Sequence, residues 1–131
     1  MFLISMASAL LSTMNIWADS IYDIRLSLND IYMATLMTGW MFALQAVAES
    51  KLHHAIIGVP LIIASIYAIR TQLFIDRKQY LLGMIPHHSM AVHMSRKLIQ
   101  KEGENVLYRV PQKIIETQQK EIQFFKSPPP I

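Results

Sequence analysis

Long apolar stretches dominate the first 70 residues of the chain. No charged side chain occurs between Met1 and Trp17, and two further apolar runs cover Ile31–Ala48 and Ala55–Ile69. The first of these two runs would be roughly 27 Å long as a helix, close to the thickness of a bilayer's hydrocarbon core. The pattern predicts two to three membrane-spanning helices, at about residues 1–18, 31–48 and 55–70.

The stretch before Asp19 is compatible with three structures: a secretory signal, a membrane helix or a buried core helix. A signal peptide normally begins with basic residues, and none precedes this run, so we favour a membrane helix. The polar connection Glu49–His54 is short, which predicts an antiparallel hairpin of the two later spans. Basic residues flank one end of that hairpin at Arg25, Arg70, Arg77 and Lys78, against Lys51 at the other. This asymmetry favours a cytoplasmic C-terminal domain in a multi-pass protein.

From about Phe74 onward the pattern becomes amphipathic and charged. Asp76 can open a helix that runs to about Lys101, with Gly103 as its stop, and Pro111 can begin a second helix that ends near Lys126. We therefore predict an all-α chain with membrane-anchoring helices over residues 1–73. An antiparallel helical pair would follow over 74–126, and a Pro-rich extended tail over 127–131.

Composition narrows the possible functions. The chain is 53% hydrophobic and only 16% charged, which is too apolar for an ordinary soluble domain of this size. The absence of cysteine excludes disulfides and thiolate metal sites. The net charge is +3, but the basic residues do not gather into a patch interleaved with aromatic side chains, so no nucleic-acid partner is expected.

The segment Met84–Met94 concentrates three histidines and three methionines in eleven residues. Imidazole and thioether groups are the neutral side chains that bind soft transition metals such as copper. On a helix, Met84, His87 and Met94 share one stripe, and His88 is directed toward a neighbouring helix. The second helix places Gln118 and Glu121 on its apolar side, where a carboxylate could face a histidine. The candidate metal residues are His87, His88, Met84, Met90 and Met94, with Glu121 as ligand or supporting group and Gln118 as supporting group.

A structural interpretation of the same residues competes with metal binding. Methionine is a common core filler at helical spacing, whereas burial of two adjacent imidazoles requires polar partners. The sequence contains no Gly-x-Ser-x-Gly elbow and no His-Glu-x-x-His zinc signature, so we expect a binding protein rather than an enzyme. The alternative function is that of a structural or assembly membrane protein whose His and Met residues serve packing and oligomerisation only.

The segment Met84–Ala91, together with Ile114–Ile122, resembles the domain-of-unknown-function 305 family, in its membrane-anchored branch. The resemblance implies a ferritin-like helical domain and, in some members, copper or silver binding and metal tolerance. Carried over position by position, the family's His pair falls on His87 and His88, and its Met positions on Met84, Met90 and Met94. Its Gln and Glu fall on Gln118 and Glu121. Unlike many soluble members, this chain has one copy of the motif, and Arg96 stands where similar members often carry an acidic residue.

One copy of the motif supplies only two soluble helices, which bury too little apolar area to stand alone. We therefore expect either a homo-oligomer formed through the C-terminal helices or docking of the pair on the membrane helices. Two copies would bring His87 and His88 of each chain near one axis and complete a site that one chain leaves open. The predicted protein is a small integral membrane protein, in contact with the lipid bilayer, that binds copper for metal handling.

Overall fold

The protein is described by a computed structural model that covers residues 1–103 and 109–128. Those residues form five α-helices and two short 3₁₀ turns and contain no strand, which confirms the all-α prediction for this part of the chain. The helices are α1 (Phe2–Leu11), α2 (Leu28–Glu49), α3 (Leu52–Thr71), α4 (Arg77–Glu102) and α5 (Arg109–Lys126). The 3₁₀ turns cover Met14–Trp17 and Ile21–Asp23.

The chain divides into two compact units. The hairpin unit contains residues 1–13 and 27–76, and therefore α1, α2 and α3. The motif unit contains residues 14–26 and the chain from Arg77 onward, and therefore both 3₁₀ turns, α4 and α5. The connection between the first two apolar stretches, residues 14–26, thus belongs to the same unit as the His/Met motif.

Helix α2 begins at a capping interaction that the sequence encodes locally. The carboxylate of Asp30 accepts hydrogen bonds from the backbone N–H and the hydroxyl of Ser27, at 2.8 and 2.9 Å. Such a carboxylate three residues after the N-cap accepts from a backbone N–H that has no acceptor within the helix. The helix ends at Glu49, and Ser50 adopts the left-handed conformation with φ of 53°. These two ends set a helix of 22 residues.

Helices α2 and α3 form an antiparallel hairpin with very close backbone approach. A Cβ atom placed on Gly58 would lie 2.6 Å from the backbone nitrogen of Ala43 and 2.7 Å from the carbonyl oxygen of Gly39. Small residues permit this distance, as they do at membrane helix interfaces. At the open end of the hairpin, the hydroxyl of Tyr32 donates to the carbonyl of Leu73 at 2.5 Å. The chain therefore enters and leaves the hairpin at the same end.

Two described helices, α2 and α3, are long and apolar enough to cross a membrane. Only 22% of the apolar window of α2 and 17% of that of α3 are buried inside the protein, whereas the core helix of a soluble protein is mostly buried. Helix α1 has ten residues and reaches only about 15 Å, half of the hydrocarbon thickness. It packs on α2 through Phe2 and Phe42, whose ring centroids lie 6.5 Å apart. The first predicted apolar stretch is thus divided between α1 and the Met14–Trp17 turn.

In the motif unit, α4 and α5 pack as an antiparallel pair. Their shared core is small: Ile85, Val92 and Ile122 are buried, with Ile115 and Phe125 packed against them. Helix α4 begins one residue after Asp76 and stops before Gly103, whose φ of 66° ends it as predicted. Helix α5 begins two residues before Pro111. Of the predicted extended tail, residues 129–131 lie outside the described part of the chain, and Ser127 and Pro128 have no helical structure.

Candidate metal-binding helix and its polar network

The buried face of α4 is not the stripe that carries most of the predicted ligands. Ile85, Ser89 and Val92 are buried at helical spacing, and His88 lies beside them. His87 and Met94 are exposed, because they stand on the opposite side of the helix. Pro86 lies inside the helix and is fully buried, so it interrupts the hydrogen-bond ladder one turn before Ser89 without ending α4.

His88 is enclosed between α4 and α5 and is only 7% exposed. Its ring packs edge-on against Phe125, with centroids 5.1 Å apart and planes at 77°. Its Nδ1 atom lies 3.0 Å from Oε2 of Glu121. The carboxylate lies away from the N–H direction, so this close approach is electrostatic, and Nδ1 has no aligned hydrogen-bond partner among the described residues. The structure therefore brings His88 and Glu121 together but leaves the imidazole incompletely satisfied.

The surroundings of His88 lower its pKa below that of an ordinary imidazole. Burial is the largest cause, because it disfavours the charged form, and the neighbouring imidazole of His87 acts in the same direction. The negative charge of Glu121 raises the pKa but does not cancel these effects. His88 is consequently neutral near pH 7, and neutral imidazole is the form that binds metal ions.

The other predicted ligands are distributed around the helix pair. Met84 and Met90 are half-buried, and Met94 is 53% exposed. Gln118 is half-buried on α5, one turn before Glu121. Within residues 1–103 and 109–128, no three His, Cys, Asp or Glu side chains converge as a metal site. Any metal site within this part of the chain would therefore combine at most two such side chains with other donors, such as thioether sulfur.

A second polar cluster surrounds the hydroxyl of Ser89. The hydroxyl of Ser89 donates to Oδ2 of Asp23 at 2.6 Å and accepts from the backbone N–H of Asp19 at 2.9 Å. The ammonium of Lys126 pairs with the other carboxylate oxygen of Asp23. Because Asp23 is 6% exposed and Ser89 is fully buried, these bonds satisfy groups that would otherwise be costly to bury.

Asp19 extends this network along α4. Its carboxylate lies 3.2 Å from Nε of Arg96 and 3.9 Å from Nδ1 of His93. The positive charge of Arg96, which departs from the family pattern, is therefore directed to a carboxylate of this chain. A polar cavity of about 250 Å³ borders the network between Asp23 and Lys126.

Sequence reasoning missed this network. Its local signal was the pair Asp19 and Asp23, four residues apart in a stretch that is otherwise rich in large apolar side chains. The partners of Asp23, Ser89 and Lys126, lie 66 and 103 residues further along the chain, so no local pattern could identify them.

The comparisons with known proteins agree with the predicted family. The family described as Domain of unknown function (DUF305) matches residues 64–127, which include all of α4 and α5. The chain is also similar to the uncharacterized protein L153 of Acanthamoeba polyphaga mimivirus. The two are 45% identical over 135 residues, which cover 97% of this chain and 87% of that protein. No solved structure matches the chain significantly. The motif match and the nearly full-length similarity together show that the chain belongs to the DUF305 family.

Proposed function

We propose that the protein is a small integral membrane protein that binds a soft transition metal, most readily copper, through α4. Its product would be a lowered free concentration of the metal rather than a chemical reaction, so we propose a handling or tolerance function and no enzymatic activity. The observation that carries this proposal is the His87–His88 pair. One imidazole is exposed, and the other is buried, neutral and held beside Glu121.

The proposed membrane placement rests on the exposed apolar surfaces of α2 and α3. The chain enters α2 and leaves α3 at the end of the hairpin where Tyr32 bonds Leu73. Arg25, Arg70, Arg77 and Lys78 flank this end, whereas Lys51 lies at the other end. Under the positive-inside rule, the protein would be a multi-pass protein with its motif unit in the cytoplasm.

The donor set of α4 suits copper in its reduced state. His87 shares a stripe with Met84, one turn before it, and with Met94, two turns after it. Either methionine would add a thioether sulfur to the imidazole nitrogen, and Cu(I) prefers both kinds of donor. A carboxylate beside Nδ1 of a histidine favours the tautomer whose Nε2 carries the lone pair. Glu121 would therefore support His88 as a ligand rather than compete with it.

One chain does not enclose this stripe, because His87 and Met94 face outward. A second copy, with its own α4 against the first, would supply further His and Met donors to the same exposed stripe. We therefore propose a homo-oligomer formed through α4 and α5, with His87 of both copies in the site and Met90 and Gln118 beside it.

Copper affinity of the protein in detergent tests the proposal directly. Competition against a chromophoric Cu(I) chelator should show stoichiometric binding by the wild type. His87→Gln should weaken the affinity at least about tenfold, as expected on loss of a metal-site imidazole. His53→Gln, which changes an exposed imidazole outside the motif, is the matched control and should bind as the wild type does. Equal affinity of all three proteins would refute a site at His87.

A purely structural function has an observation in its favour, namely the packing of His88 against Phe125 in the small core of the motif unit. The double variant His87→Ala, His88→Ala separates the two functions. Lost copper binding with an unchanged helical content supports the metal function. If the wild type does not bind copper and the double variant fails to fold, the structural function is supported.

A further inference from the structure

The segment that joins α1 to α2 exposes an unusual number of large apolar side chains. Six of them within eleven residues are between 46% and 75% exposed. We call them the 16–26 face: Ile16, Trp17, Ile21, Tyr22, Ile24 and Leu26. Exposed apolar surface of this density on a small unit indicates a surface that is covered by something other than water.

The backbone behind the 16–26 face is held in place. The side-chain amide of Asn15 donates to the carbonyl of Arg25 at 2.7 Å, and its oxygen accepts from the backbone N–H of Arg25 at 2.9 Å. These two bonds close the segment into a loop. Inside the loop, the hydroxyl of Ser20 caps the second 3₁₀ turn by accepting from the N–H of Tyr22. The exposed apolar side chains are therefore presented by a defined structure.

In a water-exposed loop, charged side chains normally face the solvent and apolar side chains face the protein. This segment has the reverse arrangement. The carboxylates of Asp19 and Asp23 are only 22% and 8% exposed, because they turn inward to Arg96 and Lys126. The apolar side chains turn outward instead. Arg25 is the cation of the segment, and it donates to the carbonyls of Tyr22 and Ile24 rather than to a carboxylate in the described part of the chain.

The apolar surface continues from Trp17 into a groove of about 550 Å³ between the ends of α4 and α5. Met94, Leu98 and Val110 line this groove, as do the cations Lys97 and Lys101, and no carboxylate is among its described lining residues. An apolar surface bordered by cations is complementary to an anionic lipid interface.

We propose that the 16–26 face lies in the interface of a lipid bilayer, with Trp17 and Tyr22 at the level of the headgroups. Tryptophan and tyrosine are enriched at that level, and amphipathic segments bury their apolar sides about 5–10 Å into the boundary between headgroups and acyl chains. Because the carboxylates of Asp19 and Asp23 face inward, they would place no negative charge beside anionic lipid headgroups. Arg25 would contact lipid phosphate. The inference rests on the proposed membrane placement of α2 and α3, and α2 begins directly after this segment.

The two tryptophans of the chain give a test that separates this inference from the membrane placement itself. Trp40→Phe leaves Trp17 as reporter of the 16–26 face, and Trp17→Phe leaves Trp40, which lies in the middle of α2. Each full-length variant is reconstituted into vesicles of anionic and zwitterionic lipids that carry bromine either near the headgroup or near the end of the acyl chain. We expect the shallow bromine to quench Trp17 more strongly and the deep bromine to quench Trp40 more strongly.

Three other results are possible, and each contradicts the interfacial position of the 16–26 face. Quenching of Trp40 without quenching of Trp17 would overturn the interfacial face while the membrane hairpin stands. Absence of quenching in both variants would overturn the membrane placement as well. Trp17 emission that is insensitive to bromine but shifts with the ratio of protein to lipid would mean that a second copy covers the face, which also overturns the inference.

Substitutions on the face itself provide a further check that does not depend on the choice of reporter. Ile21→Asn with Ile24→Asn, in the Trp40→Phe background, should shift the emission of Trp17 to longer wavelength and reduce its quenching by shallow bromine. Because both side chains are exposed, the helical content should remain that of the parent. Unchanged quenching in this variant would contradict the proposed insertion of the face.

Discussion

The hairpin unit and the motif unit satisfy the buried side chains of Thr38, Asp30 and Asp23 in different ways. In the hairpin unit, the fully buried hydroxyl of Thr38 donates to the carbonyl of Ala34 four residues earlier, and the carboxylate of Asp30 bonds Ser27 three residues away. In the motif unit, the buried carboxylate of Asp23 bonds partners far along the chain. A helix surrounded by lipid must satisfy its polar groups within itself. The motif unit instead uses buried polar groups to join separate segments.

The strongest way to break the hairpin unit is to enlarge Gly58. Gly58→Val would place side-chain atoms against the backbone of Ala43 and Gly39, where no flexible side chain can move aside. We expect the two helices to separate, at a cost of about 3 kcal/mol or more in the free energy of unfolding. Unfolding by denaturing detergent, followed by helical circular dichroism, measures this cost.

The matched control for this change is Gly39→Ala. Its new methyl group would approach Cγ1 and the backbone nitrogen of Ile62 at 3.0 Å and the carbonyl oxygen of Gly58 at 3.1 Å. These contacts are tighter than usual, but they are longer than the 2.6 and 2.7 Å approaches at Gly58. The loss of stability should therefore be clearly smaller than that of Gly58→Val. Equal stability of both variants and the wild type would mean that the helices do not approach as closely as described.

The corresponding change in the motif unit is Asp23→Asn. It removes the charge that holds Lys126 and weakens the acceptor for Ser89. Lys126 is one-third exposed and can turn to water, so we expect a loss of about 1–3 kcal/mol rather than the full cost of a buried charge. Thermal loss of structure in detergent, measured through the near-ultraviolet signal of Trp17 in the Trp40→Phe background, reports on this unit.

Asp19→Asn tests whether burial sets the size of this effect. Its pair with Arg96 is more exposed, at 22% and 46% of the two side chains, and exposed pairs contribute less than about 1 kcal/mol. A larger loss of stability for Asp19→Asn than for Asp23→Asn would contradict the expectation that the more buried carboxylate contributes more.

The two units also differ in how much of them the sequence predicts. The hairpin is encoded by runs of apolar residues and by a short polar connection, which are local signals, and the ends of α4 and α5 were predicted to within about two residues for the same reason. The face of α4 that becomes buried was not predicted. Its direction is set by Ser89, whose partners Asp19 and Asp23 come from the other end of the chain. Spacing identified the stripe of His87 and Met94, but only tertiary contacts determine that it faces outward.

A smaller effect is expected from pH, through His88. The imidazole of an unfolded chain titrates near pH 6.5, and the pKa of His88 in the folded protein is lower. Below about pH 6.5 the unfolded state therefore binds more protons, and the free energy of unfolding should fall as the pH decreases toward the folded pKa. Above that pH, both states are neutral at His88, and this residue should contribute no pH dependence.

Two variants check the assignment to His88 in thermal unfolding between pH 7.5 and 5. His88→Phe should flatten this part of the profile, because it removes the titrating group and keeps a ring against Phe125. Glu121→Gln should make the profile steeper, since the negative charge of Glu121 raises the pKa of His88. An unchanged profile in both variants would assign the pH dependence to His87 or to another group.

The smallest expected effect on stability belongs to Met94, on the exposed stripe of α4. Met94→Leu keeps the volume and apolar character of a side chain that is 53% exposed, so the free energy of unfolding should change by less than about 0.5 kcal/mol. The same change removes a sulfur donor of the proposed copper site, so under that proposal the Cu(I) affinity should fall while the fold is unaffected. Met84→Leu is the companion variant, half-buried on the same stripe. A loss of stability without a loss of affinity would show that these methionines serve packing, as Ile85 and Val92 do on the opposite face.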